Sequence, residues 1–452
     1  MKYYSTNRRS VEVDFKTAVL NGQPPDGGLY MIKNIPKLSK EDILSFKNFN
    51  LKQIALKILS SLINDAIPKN NLKEIIDWAL NFEISIENID NNCYVCYLDK
   101  GPTASFKDFG ARVLAKMMEY FLEKEKKEII ILTATSGDTG GAVASAFHGM
   151  KRIKVIILYP KNEISELQRK QMTTLGNNIL ALGIKGKFDN CQQYVKKAFS
   201  DDLFNDLNLT SANSINLGRL FPQSIYYFYS YSRVLQRDDD KVIFSVPSGN
   251  FGNLLAGLIS YKMGLPVVKF IAAVNENDEF PKFLYTGKYK KIEPSKKCIS
   301  SAMNVGNPSN LSRIFDLYDG WLDELGNVKK QPNLGKLKND IVSFSISDDE
   351  TRVIISEFYK KYKKIIDPHG AVGWGALLKF LKKDPKYQRY KSICFETADP
   401  AKFSQVISSI LGFFPEKPNS LKSIATKREY NGDVNIQNYL DFKNFLQKKY
   451  KQ

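Results

Sequence analysis

From Cys93 onward, short unbroken apolar runs alternate with amphipathic stretches, and this alternation narrows the possible folds more than any other feature of the chain. "CYVCYL", "EIIILTA", "IKVIILYP", "NILALGI", "KVIFSV", "VKFIAAV" and "SICFE" each read as a strand. Helices are expected near Lys107, from about Gly140, around Leu167, through Val195 and through Leu258. A strand without polar alternation has both faces buried. The expected fold class is therefore α/β, with parallel or mixed sheets covered by helices on both faces. Ligands of such sheets collect at the carboxyl ends of strands. Residues 1–90 lack these runs, and their periodicity predicts a polar, helical N-terminal region. A chain of 452 residues exceeds one ordinary core, so two or three domains are expected.

The formal charge of +18 raises the possibility of a nucleic-acid partner. The excess is spread through runs such as "EKEKKE" and "KKYKK" on expected helix surfaces, and no nucleic-acid-binding signature accompanies it. A solvated lysine-rich surface that attracts anionic substrates is the better reading, and a basic nucleic-acid-binding protein is a remote alternative. No apolar run approaches a membrane span, and the N-terminus has no apolar signal-peptide core, so the expected address is the cytoplasm with no membrane partner. Cys93-x-x-Cys96 lies inside an expected strand and has no second Cys or His pair, which favours core cysteines over a zinc site. With only His148 and His369 available, neither a metal centre nor a histidine triad is expected.

Three strand ends carry chemistry. In "GPTASFKDFGARVLAKMM", Gly101-Pro102 breaks the preceding element, and Ser105 with Asp108 fits the S-x-x-D pattern of a helix start. Lys107 then falls in the first helical turn, off the apolar stripe, where the helix dipole disfavours a cation. Desolvation would add to this and leave a neutral, nucleophilic amine, although a lone helix-start lysine is more often solvated. "TATSGDTGGAVASAF" and "SVPSGNFGNLLAGL" each run from strand through glycine turn into helix, an arrangement that receives an anion on free N–H groups. Neither is a P-loop or a dinucleotide fingerprint, and each alone also fits a plain tight turn. In "CFETADPAKF", Thr397 sits just past a strand, either facing a ligand or capping a helix before Asp-Pro.

Seven segments in order, "GPTASFKDFGAR", "TATSGDTG", "SANSINLGR", "VPSGNFGN", "AMNVGNPSN", "DPHGAVG" and "TADPAKF", resemble threonine synthase, a pyridoxal-phosphate-dependent family of fold type II related to the tryptophan synthase beta chain. "YYSTN" and "VLNGQPPDGGLYMI" are similar to the family's N-terminus, so the likeness spans nearly the whole chain. The resemblance implies that Lys107 holds pyridoxal 5'-phosphate as a Schiff base. It implies that Ser248, Gly249, Asn250, Phe251, Gly252 and Asn253 cradle the cofactor phosphate and that Thr397 faces the pyridine nitrogen. Thr135, Ser136, Gly137, Asp138 and Thr139 would receive the substrate, with backbone amides toward its α-carboxylate; Asn213, Ser214, Asn216 and Arg219 would surround its phosphate. Ala104-Ser105 and Asp399 depart from the usual family residues, which touches fine substrate preference more than the cofactor.

The implied reaction is the last step of threonine biosynthesis: O-phospho-L-homoserine and water to L-threonine and phosphate, by γ-elimination and β-addition of water. An alternative is a related phospholyase releasing 2-oxobutyrate. The expected organisation is a helical region at 1–90, a large cofactor domain from 91–109 and 211–452, and a smaller mobile α/β domain at 110–210 that closes over substrate. The expected partner is the small-molecule substrate, with no nucleic acid, membrane or metal, and the assembly is a monomer or a homodimer.

Overall fold

A computed structural model describes residues 1–430 and 436–451. Two sheets organise it. The larger has six strands in the order Ile341–Ser345, Val267–Val274, Val242–Pro247, Lys391–Glu396, Cys93–Tyr97 and Ser85–Asp90. All neighbours are parallel except the last pair. The smaller sheet, Ile179–Ile184, Ile153–Pro160, Ile129–Ala134 and Leu209–Thr210, is parallel throughout.

The period-two pleat explains why the central strands read as unbroken apolar runs. Phe244, Phe270 and Phe395 point into one core, where they meet Tyr227 and Leu258, while Ile243, Ile271 and Cys394 point into a second core against the Pro368–Lys383 helix. The small sheet divides likewise. Ile131, Val155 and Ile157 face the Asp138–Phe147 helix; Leu132, Ile156 and Leu158 share a separate cluster with Tyr194, Phe442 and Leu446. Each such buried aliphatic side chain contributes about 1.5–3 kcal/mol.

The N-terminal region is helical over Lys40–Ser45, Leu51–Ile63 and Lys69–Ala79, but it also contains an antiparallel pair, Tyr3–Ser5 with Tyr30–Ile32, and the edge strand Ser85–Asp90. The expected border between 109 and 110 falls inside one continuous helix, Lys107–Glu125, whose buried face joins both sheets' cores. The last helix, Tyr439–Tyr450, packs on the small sheet: Ile436 pairs with Ile184, and Lys443 meets Asp201 at 2.7 Å. Among the described residues no helix is long and apolar enough to cross a membrane.

Candidate active site

The loops singled out in the sequence all leave the carboxyl ends of parallel strands and meet in one cavity. After Cys93–Tyr97 the chain turns through Gly101–Phe106, with Ala104 at φ 53. This turn is zipped to the loop after Lys391–Glu396: Phe106 N–H donates to the Thr397 carbonyl at 2.9 Å, and Asp399 N–H donates to the Ala104 carbonyl at 3.0 Å. Thr397 is thereby fixed on the cavity wall beside Lys107.

The helix begins at Lys107, but Ser105 does not cap it. Ser105 pairs with Ala398 through its backbone and keeps its hydroxyl buried without a partner. Asp108 instead turns back to accept from Thr103 N–H at 2.8 Å and its hydroxyl at 2.7 Å, which braces the turn from within. Lys107 stays in the first turn with 14% of its side chain exposed. Burial pulls its amine from 10.5 down to about 8; the Asp138 carboxylate, 3.9 Å away, opposes this, and Lys402 and Arg219 add to it.

Beyond Val242–Pro247 the glycine turn forms a cradle. The helix Gly252–Met263 starts behind Phe251 at φ 58 with no side-chain cap. Among the described residues no acceptor meets the backbone N–H groups of Gly249 to Asn253. A Cβ on Gly249 would lie 2.8 Å from the Ala302 carbonyl oxygen and from the Met303 Cα. The Asn250 amide donates to Ser214 Oγ at 2.6 Å and accepts from Ser309 N–H at 2.6 Å. Asn253 is held by the Tyr226 and Tyr227 hydroxyls, each 2.8 Å away, and its Nδ2 has no partner. Such a row of unmet donors at a helix start suits a phosphate. Ser248 is turned off the cavity, donating to the Val246 carbonyl at 2.8 Å.

On the small sheet, Thr135 Oγ1 accepts from Gly137 N–H at 2.9 Å and Gly140 N–H at 2.8 Å, so it braces the turn as well as lining the cavity. Ser136, Asp138 and Thr139 line the cavity; Gly137, at φ 132, sits behind them against Gln168. Asp138 is fully buried. Burial alone would raise its carboxyl, but Lys402 and Lys107 hold it well below the usual carboxylate range.

Asn213, Ser214 and Arg219 line the cavity from the next loop. Asn216 does not: it caps the short helix Leu217–Leu220, accepting from Gly218 N–H at 2.9 Å and donating to the Val19 and Ser211 carbonyls. Arg219 is 3% exposed, donates to the Ala212 carbonyl at 2.6 Å and leaves Nε without a partner. Burial pulls its guanidinium down to about 10, with distant Asp108 opposing. Among the described residues no carboxylate lies within ion-pair distance, so the pocket presents a buried cation with no counter-charge.

The sequence reading did not assign a role to His369 and missed Lys402. Asp367 caps the Pro368–Lys383 helix; Asp-Pro is a helix-start signal that places His369 in the first turn. His369 Nδ1–H donates to Asp367, and Nε2 accepts from Ala302 N–H at 3.1 Å, so the ring steadies the segment packed against Gly249. Lys402 had no local signal. It reaches Asp138 from 264 positions away in the chain, 402 minus 138.

The family model described as "Pyridoxal-phosphate dependent enzyme" matches residues 84–396, and "Threonine synthase N terminus" matches 2–80. The threonine synthase of Buchnera aphidicola subsp. Baizongia pistaciae is 38% identical over 425 residues, 94% of each chain. The crystal structure of threonine synthase from Escherichia coli superimposes with a TM-score of 0.89 at 35% identity, over 99% of this chain and 100% of that one. The structure of pyridoxal-phosphate-bound threonine synthase from Brucella melitensis gives 0.89 at 30% identity, over 99% of both. The architecture is that of fold type II, and the unmet donors above Gly249, with the buried amine of Lys107 in the same cavity, fit pyridoxal 5'-phosphate as its cofactor. A pyridoxal-phosphate dependent enzyme by family model and by fold, the chain belongs to the threonine synthase family.

Proposed function

We propose that the chain converts O-phospho-L-homoserine and water to L-threonine and phosphate. The carrying observation is the coexistence, in one cavity, of a buried amine at Lys107, a cradle of free amides at Gly249–Asn253 and a buried, unpaired Arg219. Two anion sites around one amine match a phosphorylated cofactor and a phosphorylated amino acid.

When bound, the cofactor supplies the electron sink that acidifies the substrate's α and β protons. Lys107 Nζ takes the proton from Cα and returns protons as the product forms. Arg219, with Asn213 and Ser214, holds the phosphate and stabilises its charge as the bond to Cγ breaks. The Ser136, Asp138 and Thr139 amides orient the α-carboxylate, and the Thr397 hydroxyl would meet the pyridine nitrogen of the bound cofactor. Water then supplies the hydroxyl at Cβ and a proton ends on Cγ, which becomes the methyl group.

We further propose that the four-stranded unit closes over the substrate. Next to the site lies a cleft of about 530 Å³ between Asn190 and Lys196 on one side and Asn7, Asn307 and Leu325 on the other. Closing it would exclude water from the reacting carbons. Superimposable free and substrate-bound structures would rule the movement out. A cytoplasmic address is supported by five free, buried cysteines, which suit a reducing compartment.

Product analysis tests the main reading. Cofactor-loaded protein mixed with O-phospho-L-homoserine should yield threonine and phosphate in equal amounts. Phosphate with 2-oxobutyrate and ammonia would make the chain a phospholyase. The cradle has its own test: a Gly249→Ala methyl group forces the turn off Ala302 and Met303, at about 1–3 kcal/mol. Titration of cofactor-free protein should show pyridoxal phosphate binding about 5- to 150-fold more weakly.

A further inference from the structure

Lysine is almost never enclosed without a partner. Lys402, in the Pro400–Phe403 turn beyond Thr397, exposes 0% of its side chain and has two partners. Its Nζ lies 2.7 Å from Asp138 Oδ1 and donates to the Thr103 carbonyl at 3.0 Å. Gln168 Nε2 also donates to Asp138 Oδ1, at 3.0 Å. The Lys107 loop, the Thr397 loop and the Asp138 loop are thus joined at one ammonium. Asp138 Oδ2 faces Lys107 at 3.9 Å, beyond hydrogen-bond distance.

We infer that Lys402 is a positioning residue that keeps Asp138 from closing on Lys107, so that the Lys107 amine remains free to bond the cofactor aldehyde. The inference rests on Lys107 as the residue that bonds the cofactor. In that step Nζ forms a C=N bond to the aldehyde carbon, and the aldehyde oxygen leaves as water with two protons from the nitrogen.

Two buried cations compete for one buried carboxylate, and the closer one holds it. Without Lys402, Asp138 would face Lys107 as its nearest cation, and a short movement would make a contact ion pair. Such a pair is far stronger in a dry site than in water, and an ammonium held in it is not a nucleophile. Among the described residues no neighbour replaces Lys402. His369 has Nδ1 committed to Asp367 and Nε2 to Ala302 N–H. Arg219, from the Leu217–Leu220 helix, is tied to the Ala212 carbonyl. Asp108, on Lys107's own helix, is satisfied by Thr103, and Asp367 by His369 and Gly370 N–H. These groups remain in every variant below.

The experiment mixes cofactor-free protein with pyridoxal phosphate between about pH 6 and 10 and follows the absorbance of the covalent complex, with reduction and mass measurement as a check. Wild type should reach half its maximal rate near pH 8. Lys402→Met should move that midpoint up by about one unit, making bonding about 10-fold slower at neutral pH. Adding Asp138→Asn to Lys402→Met removes the competing carboxylate and should bring the midpoint back. An unchanged profile in Lys402→Met, or a double variant as slow as the single one, overturns the inference. If Lys402→Met does not fold, Asp138→Asn alone decides: Lys402 then opposes Lys107 with no carboxylate between them, and the midpoint must fall. Lys107→Ala separates the two claims, because covalent cofactor on that variant would remove the assignment of Lys107 whatever Lys402 does.

Discussion

Lys107→Ala should lower turnover of O-phospho-L-homoserine by at least about 10⁴-fold, because the same amine is assigned to bonding the cofactor and to moving the Cα proton. Reduction and mass measurement should find no covalent cofactor on the variant. The fold should survive, and the cofactor-free variant should be more stable than wild type at neutral pH. The Lys107 amine sits near 8 in the folded chain against 10.5 when exposed, so below pH 8 the folded protein carries a penalised ammonium. Between about pH 8 and 10.5 the unfolded chain binds more protons than the folded one, and wild-type stability rises with pH by an amount on the order of 1–3 kcal/mol. The advantage of Lys107→Ala should therefore be full below pH 8 and fade as the pH approaches 10.5. Thermal or urea unfolding of both proteins across that range checks it. Equal stability at all pH values would mean that Lys107 is solvated, as an ordinary helix-start lysine is, and would withdraw the physical basis for its reactivity.

The strands that carry this site were legible because burial on both faces leaves a continuous apolar run. All seven runs read in the sequence, from Cys93–Tyr97 to Lys391–Glu396, are strands of the two sheets. Ser85–Asp90 and Ile341–Ser345 were not legible. They are the two edges of the large sheet, so "SIENID" carries polar residues on both faces and "IVSFS" is only half-buried. The glycine turns announced themselves through composition, since Gly249 packs where a Cβ does not fit and Gly137 takes a positive φ. Side-chain direction was not announced. Ser248, Gly137 and Asn216 lie in the right loops and face away from the cavity, and a loop's sequence alone does not say which residue turns inward. Ser105 was misread as a cap because its backbone is drawn into the bridge with Ala398, a contact made across the fold. Lys402 was invisible for the same reason: its bond to Thr103 joins residues 299 positions apart.

Arg219→Met should separate binding from folding most clearly. A guanidinium 3% exposed, with Nε unpaired and, among the described residues, no carboxylate within ion-pair distance, is an unfavourable feature of the ligand-free protein. Replacing it with a neutral side chain of similar length removes that penalty, so the ligand-free variant should melt at or above the wild-type temperature. The same substitution should reduce kcat/KM for O-phospho-L-homoserine by about 10²–10³-fold, the usual effect of removing one partner from a desolvated charge pair. Inorganic phosphate supplies the decisive control. As a product it should occupy the same pocket and raise the melting temperature of wild type in proportion to the logarithm of its concentration, and Arg219→Met should lose that response. Wild type and variant responding equally to phosphate would place the substrate phosphate elsewhere. Arg219→Lys should recover only part of the loss, because a point charge lacks the planar fork that holds two phosphate oxygens at once. Gln223 sharpens the expectation, since its amide donates to the Arg219 carbonyl at 2.9 Å, and that carbonyl packs so closely on Gly110 that a Cβ there would lie 2.5 Å from it. The short helix therefore stays in place when its side chain changes, and the loss is read at the phosphate.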